Sequence, residues 1–160
     1  MKEWSDFYVA TAGASAALSG LIFVGVSISL NRILSFPTLP ERAIIALILL
    51  VNILIVSVLM LVPGQSLFVQ GLELSLLATG VWFAASRIDR NIYRNVDKQF
   101  MKQHKFSIAF NQFSLIPYMV AGVLMLLGHE NGVYWLAPAI LSSFIKGVSD
   151  GWVMLVEINR

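Results

Sequence analysis

Five long stretches of apolar residues divide this chain, and charged or turn-forming residues separate them. A helix needs about 20 apolar residues to cross the roughly 30 Å hydrocarbon layer of a membrane. The turn residues at 63–66 and 128–132 leave room only for sharp reversals between the helices that they join. The pattern therefore predicts five membrane-spanning helices at residues 7–30, 43–62, 67–85, 106–127 and 133–156.

The composition supports a membrane protein of a single domain. Hydrophobic residues make up 58% of the 160 positions and charged residues 12%, whereas a soluble domain is about one quarter charged. A soluble core of this size could not hide that much apolar surface, because small domains bury only about two-thirds of what the unfolded chain exposes. We therefore expect an all-α integral membrane bundle over residues 1–160, and the absence of cysteine excludes disulfides and cysteine metal sites.

The distribution of basic residues predicts the orientation in the membrane. Nine of the eleven Lys and Arg residues fall in the connections and tail on one side of the expected bundle. By the positive-inside rule, the amino terminus lies outside and the carboxyl terminus is cytoplasmic. The first six residues lack a basic signal-peptide start, so we expect the first span to be retained. Because the orientation in the membrane explains the excess of Lys and Arg over Asp and Glu, we expect no nucleic-acid partner.

Residues 86–105 carry basic and apolar side chains that both recur every four positions. This pattern is typical of one amphipathic helix. It is either a continuation of the third span that packs on its neighbours or a cytoplasmic surface helix that docks anionic lipid headgroups or a partner. We expect His104 to be exposed in this segment. The candidate headgroup ligands are Arg90, Arg94, Lys98 and Lys102.

Small residues predict where helices touch, because helices in lipid associate through close packing. The first and fifth spans are rich in such residues, which favours a central place for both, in the monomer or in an oligomer. The second span is dominated by Leu, Ile and Val, and we expect it to face lipid. A homo-oligomer is expected because a thin bundle cannot cover all its small-residue surface. The candidate packing residues are Gly13, Ala17, Gly20, Ser143, Gly147 and Gly151.

Three ionisable residues, Glu73, Lys146 and Asp150, lie inside predicted spans, and Asn52 reaches a similar depth. An isolated charge at the bilayer centre costs at least about 2.5 kcal/mol, so such groups normally point inward and pair. We therefore expect these four side chains to form one buried polar cluster. Two interpretations stay open: the cluster fixes helix register, or it binds ions or exchanges protons on a transport path.

The hydroxyl groups of the first span offer a lining for such a path, with Ser15 and Ser19 as the candidate residues. The alternative is that each hydroxyl bonds a backbone carbonyl of its own helix. Phosphate-binding loops, metal-spaced histidine pairs and a hydrolase nucleophile elbow are all absent from the sequence. We therefore expect no enzyme activity, no metal site and no cofactor.

Two segments resemble a known group of proteins. The stretch 7–30, FYVATAGASAALSGLIFVGVSISL, and the stretch 150–157, DGWVMLVE, are similar to an uncharacterised family of small bacterial inner-membrane proteins. The resemblance implies a multi-pass protein of the bacterial inner membrane. It brings no activity, cofactor or site residue.

Together these features predict a small oligomeric channel or transporter for ions or protons. Its path would be lined by the first helix and by the cluster of Glu73, Lys146 and Asp150. The alternative is a non-conducting scaffold or regulatory subunit in which the buried charges act as a structural lock.

Overall fold

The computed structural model describes residues 4–36, 38–95 and 101–158, and in these ranges the chain is helical without a strand. A short 3-10 helix, Glu130–Trp135, precedes the last α-helix. The α-helices are α1 (Ser5–Ile28), α2 (Leu30–Leu34), α3 (Leu39–Leu61), α4 (Leu67–Asn95), α5 (Met101–Leu126) and α6 (Leu136–Ile158).

Five of the segments are long and apolar enough to cross a membrane, which confirms the predicted number of spans. Two glycines make the predicted reversals. Gly64 has a φ of 77° between α3 and α4, and Gly128 has a φ of 81° just after α5. Glycine adopts this left-handed region readily because it has no Cβ to clash with the backbone.

Helices α3 to α6 pack in a ring, in which α3 and α5 each contact both α4 and α6. Helix α1 lies outside this α3–α6 ring, chiefly against α3 and to a smaller extent against α6. The hydroxyls of Thr11 on α1 and Ser57 on α3 share a buried hydrogen bond of 2.8 Å. The ring, rather than α1, therefore encloses the interior of the protein.

Within a single chain, the expected positions of the first and second spans are wrong, since α3 is central and α1 is not. A central place for α1 in an oligomer stays a prediction. Half of the most apolar window of α3 is buried inside the protein, against 17% of that of α1. The physical reason is that Leu, Ile and Val gain little by leaving acyl chains, so a helix rich in them suits a core as well as lipid. Small residues permit close approach but do not specify which helices use it.

The predicted packing residues divide into two groups. On α6, Ser143 is fully buried, a Cβ on Gly147 would lie 3.1 Å from Leu50, and one on Gly151 would lie 2.9 Å from Ile22. These three residues therefore let α6 approach α3 and α1. On α1 the predicted residues face away from the described chain: Ala17 is exposed, and a Cβ on Gly13 or Gly20 would meet nothing within 4 Å.

The closest helix approach in the hairpin of α4 and α5 uses two glycines that the sequence analysis did not single out. A Cβ on Gly71 would lie 2.6 Å from the backbone nitrogen of Leu126, and one on Gly122 would lie 2.5 Å from the Ser75 hydroxyl. Both positions are buried. Because no side chain fits there, the two antiparallel helices pack backbone to backbone near the start of α4 and the end of α5.

Residues 86–105 do not form one amphipathic helix. Helix α4 continues to Asn95, and α5 begins at Met101 and runs back antiparallel along it. The apolar residues in the described first half of the segment pack against the core, so that half is a continuation of the third span. His104 is buried, with 7% of its surface exposed, because it lies on the inward face of α5. Lys98 lies outside the described residues.

The close approach of α4 and α5 makes Gly71 intolerant of any side chain. We expect Gly71→Ala to lower the free energy of unfolding by about 1–3 kcal/mol, because the new methyl group forces the two backbones apart. The measurement is unfolding in mixed detergent micelles, followed by circular dichroism.

Gly80→Ala is the matched control, since Gly80 lies on the same helix and a Cβ there would meet nothing within 4 Å in the described chain. Alanine is also the better helix former, so the control should leave stability unchanged or raise it slightly. Equal destabilisation by the two substitutions would contradict the packing of α4 on α5.

Candidate polar site inside the α3–α6 ring

Helix α5 presents a continuous inward face with alternating intervals of three and four residues. Side chains at this spacing share one face of a helix. The first five members of the series are polar and the last two are apolar. The polar part covers 15 residues, whose 14 steps span about 21 Å of helix at 1.5 Å per residue. The series is His104, Ser107, Asn111, Ser114, Tyr118, Ala121 and Met125.

Lys146 on α6 points into this polar part and is only 3% exposed. Its ammonium group donates a hydrogen bond of 2.8 Å to the Ser107 hydroxyl and a second one to the carboxylate of Asp150. Asp150 follows one helical turn later on α6, so the two charges pair along one face. The ammonium group is thus held by two helices, α5 and α6.

Asp89 on α4 is a second acid in this region, and it is only 3% exposed. The Asn111 side-chain amide donates a hydrogen bond of 2.8 Å to Asp89 Oδ1. Lys146 and Asp150 both lie within electrostatic range of the Asp89 carboxylate. Within the described residues, Asp89 Oδ2 accepts no hydrogen bond. Two carboxylates and one ammonium group give this set a nominal charge of −1.

A cleft of about 380 Å³ between α4 and α5 reaches the Asp89 carboxylate from outside the ring. Gln112 forms part of its wall. It accepts a hydrogen bond of 2.5 Å from the Trp82 indole and donates one of 3.2 Å to the Ser86 hydroxyl. Arg90 and Lys105 also line the cleft, so its entrance is basic. Asp89 therefore lies between an open cleft and the buried ammonium group of Lys146.

Glu73 is not brought to this cluster. Its carboxylate accepts hydrogen bonds of 3.1 and 3.2 Å from Gln65, in the turn before α4. Sixteen residues, or about 24 Å of helix, separate it from Asp89 on the same helix. The sequence analysis ended the third span at residue 85, so it assigned Asp89 to the surface and left Glu73 as the acid of that span.

Asn52 lies deeper in the ring, beside Tyr118 and Ser143. All three side chains are at most 2% exposed, and they come from α3, α5 and α6. The Tyr118 hydroxyl is close enough to the other two groups to interact with them, but none completes a hydrogen bond of normal geometry. Tyr118 is seven residues beyond Asn111 on α5, about 10 Å farther from the cleft. Asn52 therefore belongs to the same interior as Lys146 but not to its charge cluster.

The two candidate serines of α1 lie outside the ring. Ser15 is buried, and its hydroxyl donates a hydrogen bond of 3.0 Å to the carbonyl oxygen of Ala12 in the same helix. The Ser19 hydroxyl is buried and has no partner in the described residues. Ser15 therefore bonds a backbone carbonyl of its own helix, which is the alternative to lining a path. Neither serine lies on the inward face of the ring.

The sequence analysis did not identify Asp89, Ser107, Asn111 and Tyr118 as members of one site. The signal was present in the alternating spacing of polar residues along α5, which continues into the apolar pair Ala121 and Met125. The many apolar residues on the other faces of α5 hide the pattern from a simple count of hydrophobic residues. Among the described residues, no group of three or more acidic or histidine side chains is arranged to hold a metal ion.

Comparisons with protein-family models, with curated proteins and with solved structures find no match. The resemblance to small bacterial inner-membrane proteins therefore stays a prediction.

The buried Lys146 and Asp150 should depend on one another for stability. We expect Lys146→Met to lower the free energy of unfolding by about 3 kcal/mol or more, because it leaves two buried carboxylates without a counter-charge. In the double variant with Asp150→Asn, the loss should be smaller than the sum of the two single losses by at least about 1 kcal/mol. Unfolding in mixed detergent micelles measures all three values.

Lys102→Met serves as the control, since Lys102 is an exposed lysine on α5. It should change stability by less than about 0.5 kcal/mol. Additive losses in the double variant would mean that the pair makes no coupled contribution.

Proposed function

We propose that this protein is a small membrane transporter for protons or monovalent cations, and that Asp89, Asn111, Lys146 and Asp150 form its exchange site. The observation that carries the proposal is the position of Asp89, which is buried and bonded to Asn111 but borders an open cleft. Intramembrane ionisable groups are costly and commonly mark ion or proton pathways. A carboxylate with access from one side can load and release a cation there.

The charge of the cluster supports this function. Asp89 and Asp150 carry two negative charges against the single positive charge of Lys146. Binding of one proton or one monovalent cation neutralises the set, and a neutral set is the state that a low-dielectric interior favours. Asp89 Oδ2 is a buried carboxylate oxygen that accepts no hydrogen bond from the described residues, so it is the preferred acceptor.

The inward face of α5 supplies a continuation of the path. Ser114 and Tyr118 extend the polar surface beyond Asn111, and Asn52 and Ser143 lie beside Tyr118. Beyond that level the same face becomes apolar. Passage to the other side of the membrane therefore requires a change of helix packing, which favours a gated transporter over an open pore. The path follows the ring interior instead of α1, the lining that the sequence favoured.

We further propose the orientation and location that the sequence predicts, with the carboxyl terminus on the cytoplasmic side of a bacterial inner membrane. The basic cleft then opens to the cytoplasm. A homo-oligomer is also part of the proposal, because the Gly13, Ala17 and Gly20 face of α1 is available for close helix packing.

Proton flux into proteoliposomes tests the transport proposal. With a trapped pH-sensitive dye and a valinomycin-clamped potential, the unmodified protein should acidify the lumen faster than empty liposomes do. Asp89→Asn keeps the shape of the side chain but removes its charge, so we expect at least a tenfold slower flux. A parallel assay with a sodium- or potassium-sensitive dye covers monovalent cations.

Glu73→Gln is the matched control, since it makes the same change of carboxylate to amide on the same helix but outside the cluster. Its flux should equal that of the unmodified protein. If the unmodified protein passes neither protons nor cations, the transport proposal fails. The scaffold, with the charge cluster as a structural lock, would then be the remaining interpretation.

The proposed oligomer has a separate test. Gly13→Leu places a large side chain on the outer face of α1, where a Cβ has no neighbour within 4 Å in the described chain. We expect the oligomer to dissociate while the helix content of the protein stays unchanged. Light scattering coupled to size-exclusion chromatography in detergent measures the mass, and an unchanged mass would exclude this face as the contact.

A further inference from the structure

A second and larger groove lies between the start of α3 and the last turns of α4, with a volume of about 950 Å³. Three arginines line it, Arg87, Arg90 and Arg94, and two large aromatic side chains complete its wall, Trp82 and Phe83. It shares Arg90 with the cleft beside the exchange site, but the charges of the exchange site itself face the ring interior.

The three arginines lie in one row. Arg87, Arg90 and Arg94 follow Phe83 at intervals of four, three and four residues, so all four side chains share one face of α4. Each of the arginines is exposed, and in the described part of the chain none of them forms an ion pair. Three guanidinium groups in a row, with no acid bound to them, present a strong positive field to an anion.

The acid that lines this groove is held by another residue. Glu41 at the start of α3 accepts a hydrogen bond of 2.7 Å from the Asn91 side chain, across the groove. The bond ties α3 to α4 and fixes the distance between the two walls. The other oxygen of the Glu41 carboxylate, Oε2, has no partner among the described residues, so neither oxygen pairs with an arginine of the groove.

The apolar wall continues from the row of arginines toward the middle of the helix. Phe83 is 61% exposed and Trp82 is 38% exposed, although Trp82 bonds Gln112 through its indole nitrogen. Aromatic side chains at the end of a membrane span mark the level of the headgroups. A ligand that fits the groove therefore carries an anionic group next to an apolar chain.

We propose that this groove is a binding site for an anionic phospholipid. The phosphate group binds Arg87, Arg90 and Arg94, and the part of the acyl chains next to the headgroup packs against Phe83 and Trp82. The occupant is a membrane lipid because the charged and apolar walls are continuous on one face of α4. Basic grooves between membrane helices bind acidic headgroups in this way. The sequence analysis named Arg90 and Arg94 among surface ligands but not Arg87, and it did not predict a groove.

Native mass spectrometry of the delipidated full chain tests the proposal, and it requires no assumption about transport. Phosphatidylglycerol should bind with at least tenfold higher affinity than phosphatidylethanolamine. The triple variant R87Q/R90Q/R94Q should lose this preference. All three side chains are exposed, so the variant is expected to fold, and circular dichroism verifies that.

A second triple variant, R32Q/K102Q/K105Q, removes the same charge from exposed residues outside the groove. It should keep the preference for phosphatidylglycerol. Equal losses in the two triple variants would indicate unspecific attraction to basic charge and would overturn the proposal. Displacement of the lipid by millimolar inorganic phosphate would also overturn it, because the groove would then be a site for free anions.

Discussion

Hydrocarbon offers neither a hydrogen-bond partner nor a counter-charge, and this constraint shapes the interior of the protein. A polar group that enters the membrane must find its partners on a neighbouring helix or on its own. Lys146 has one partner on the neighbouring helix α5, the Ser107 hydroxyl, and one on its own helix α6, the Asp150 carboxylate. The α3–α6 ring is therefore organised around a polar face on α5, and α1 attaches to its outside.

Helix α4 serves two environments with side chains from adjacent positions. Asp89 faces the ring interior and bonds Asn111, whereas Arg87 and Arg90 face the groove toward α3. Arg90 also lines the cleft that leads to Asp89. The basic end of α4 thus contributes both to the proposed exchange site and to the proposed lipid site, on different faces of one helix.

Sequence alone predicted the five spans and a buried cluster that contains Lys146 and Asp150, because both follow from the spacing of residues along the chain. The choice of Glu73 over Asp89 depended on where the third span ends. Apolar content could not locate that end, because α4 continues as a packed helix beyond the apolar stretch. The predicted positions of α1 and α3 in the bundle were reversed for a different reason. Lipid and the protein interior accept the same aliphatic side chains, so the composition of a helix does not show whether it contacts lipid or other helices.

The central claim is that Lys146 turns inward and is held by α5 across the helix interface. Solid-state NMR in lipid bilayers tests it directly, with nitrogen-15 in the lysine side chains and carbon-13 in serine Cβ. The account predicts one through-space contact between a lysine Nζ and a serine Cβ, which disappears in both Lys146→Met and Ser107→Ala. A Lys146 ammonium group without a serine contact, close to acyl chains instead, would contradict it.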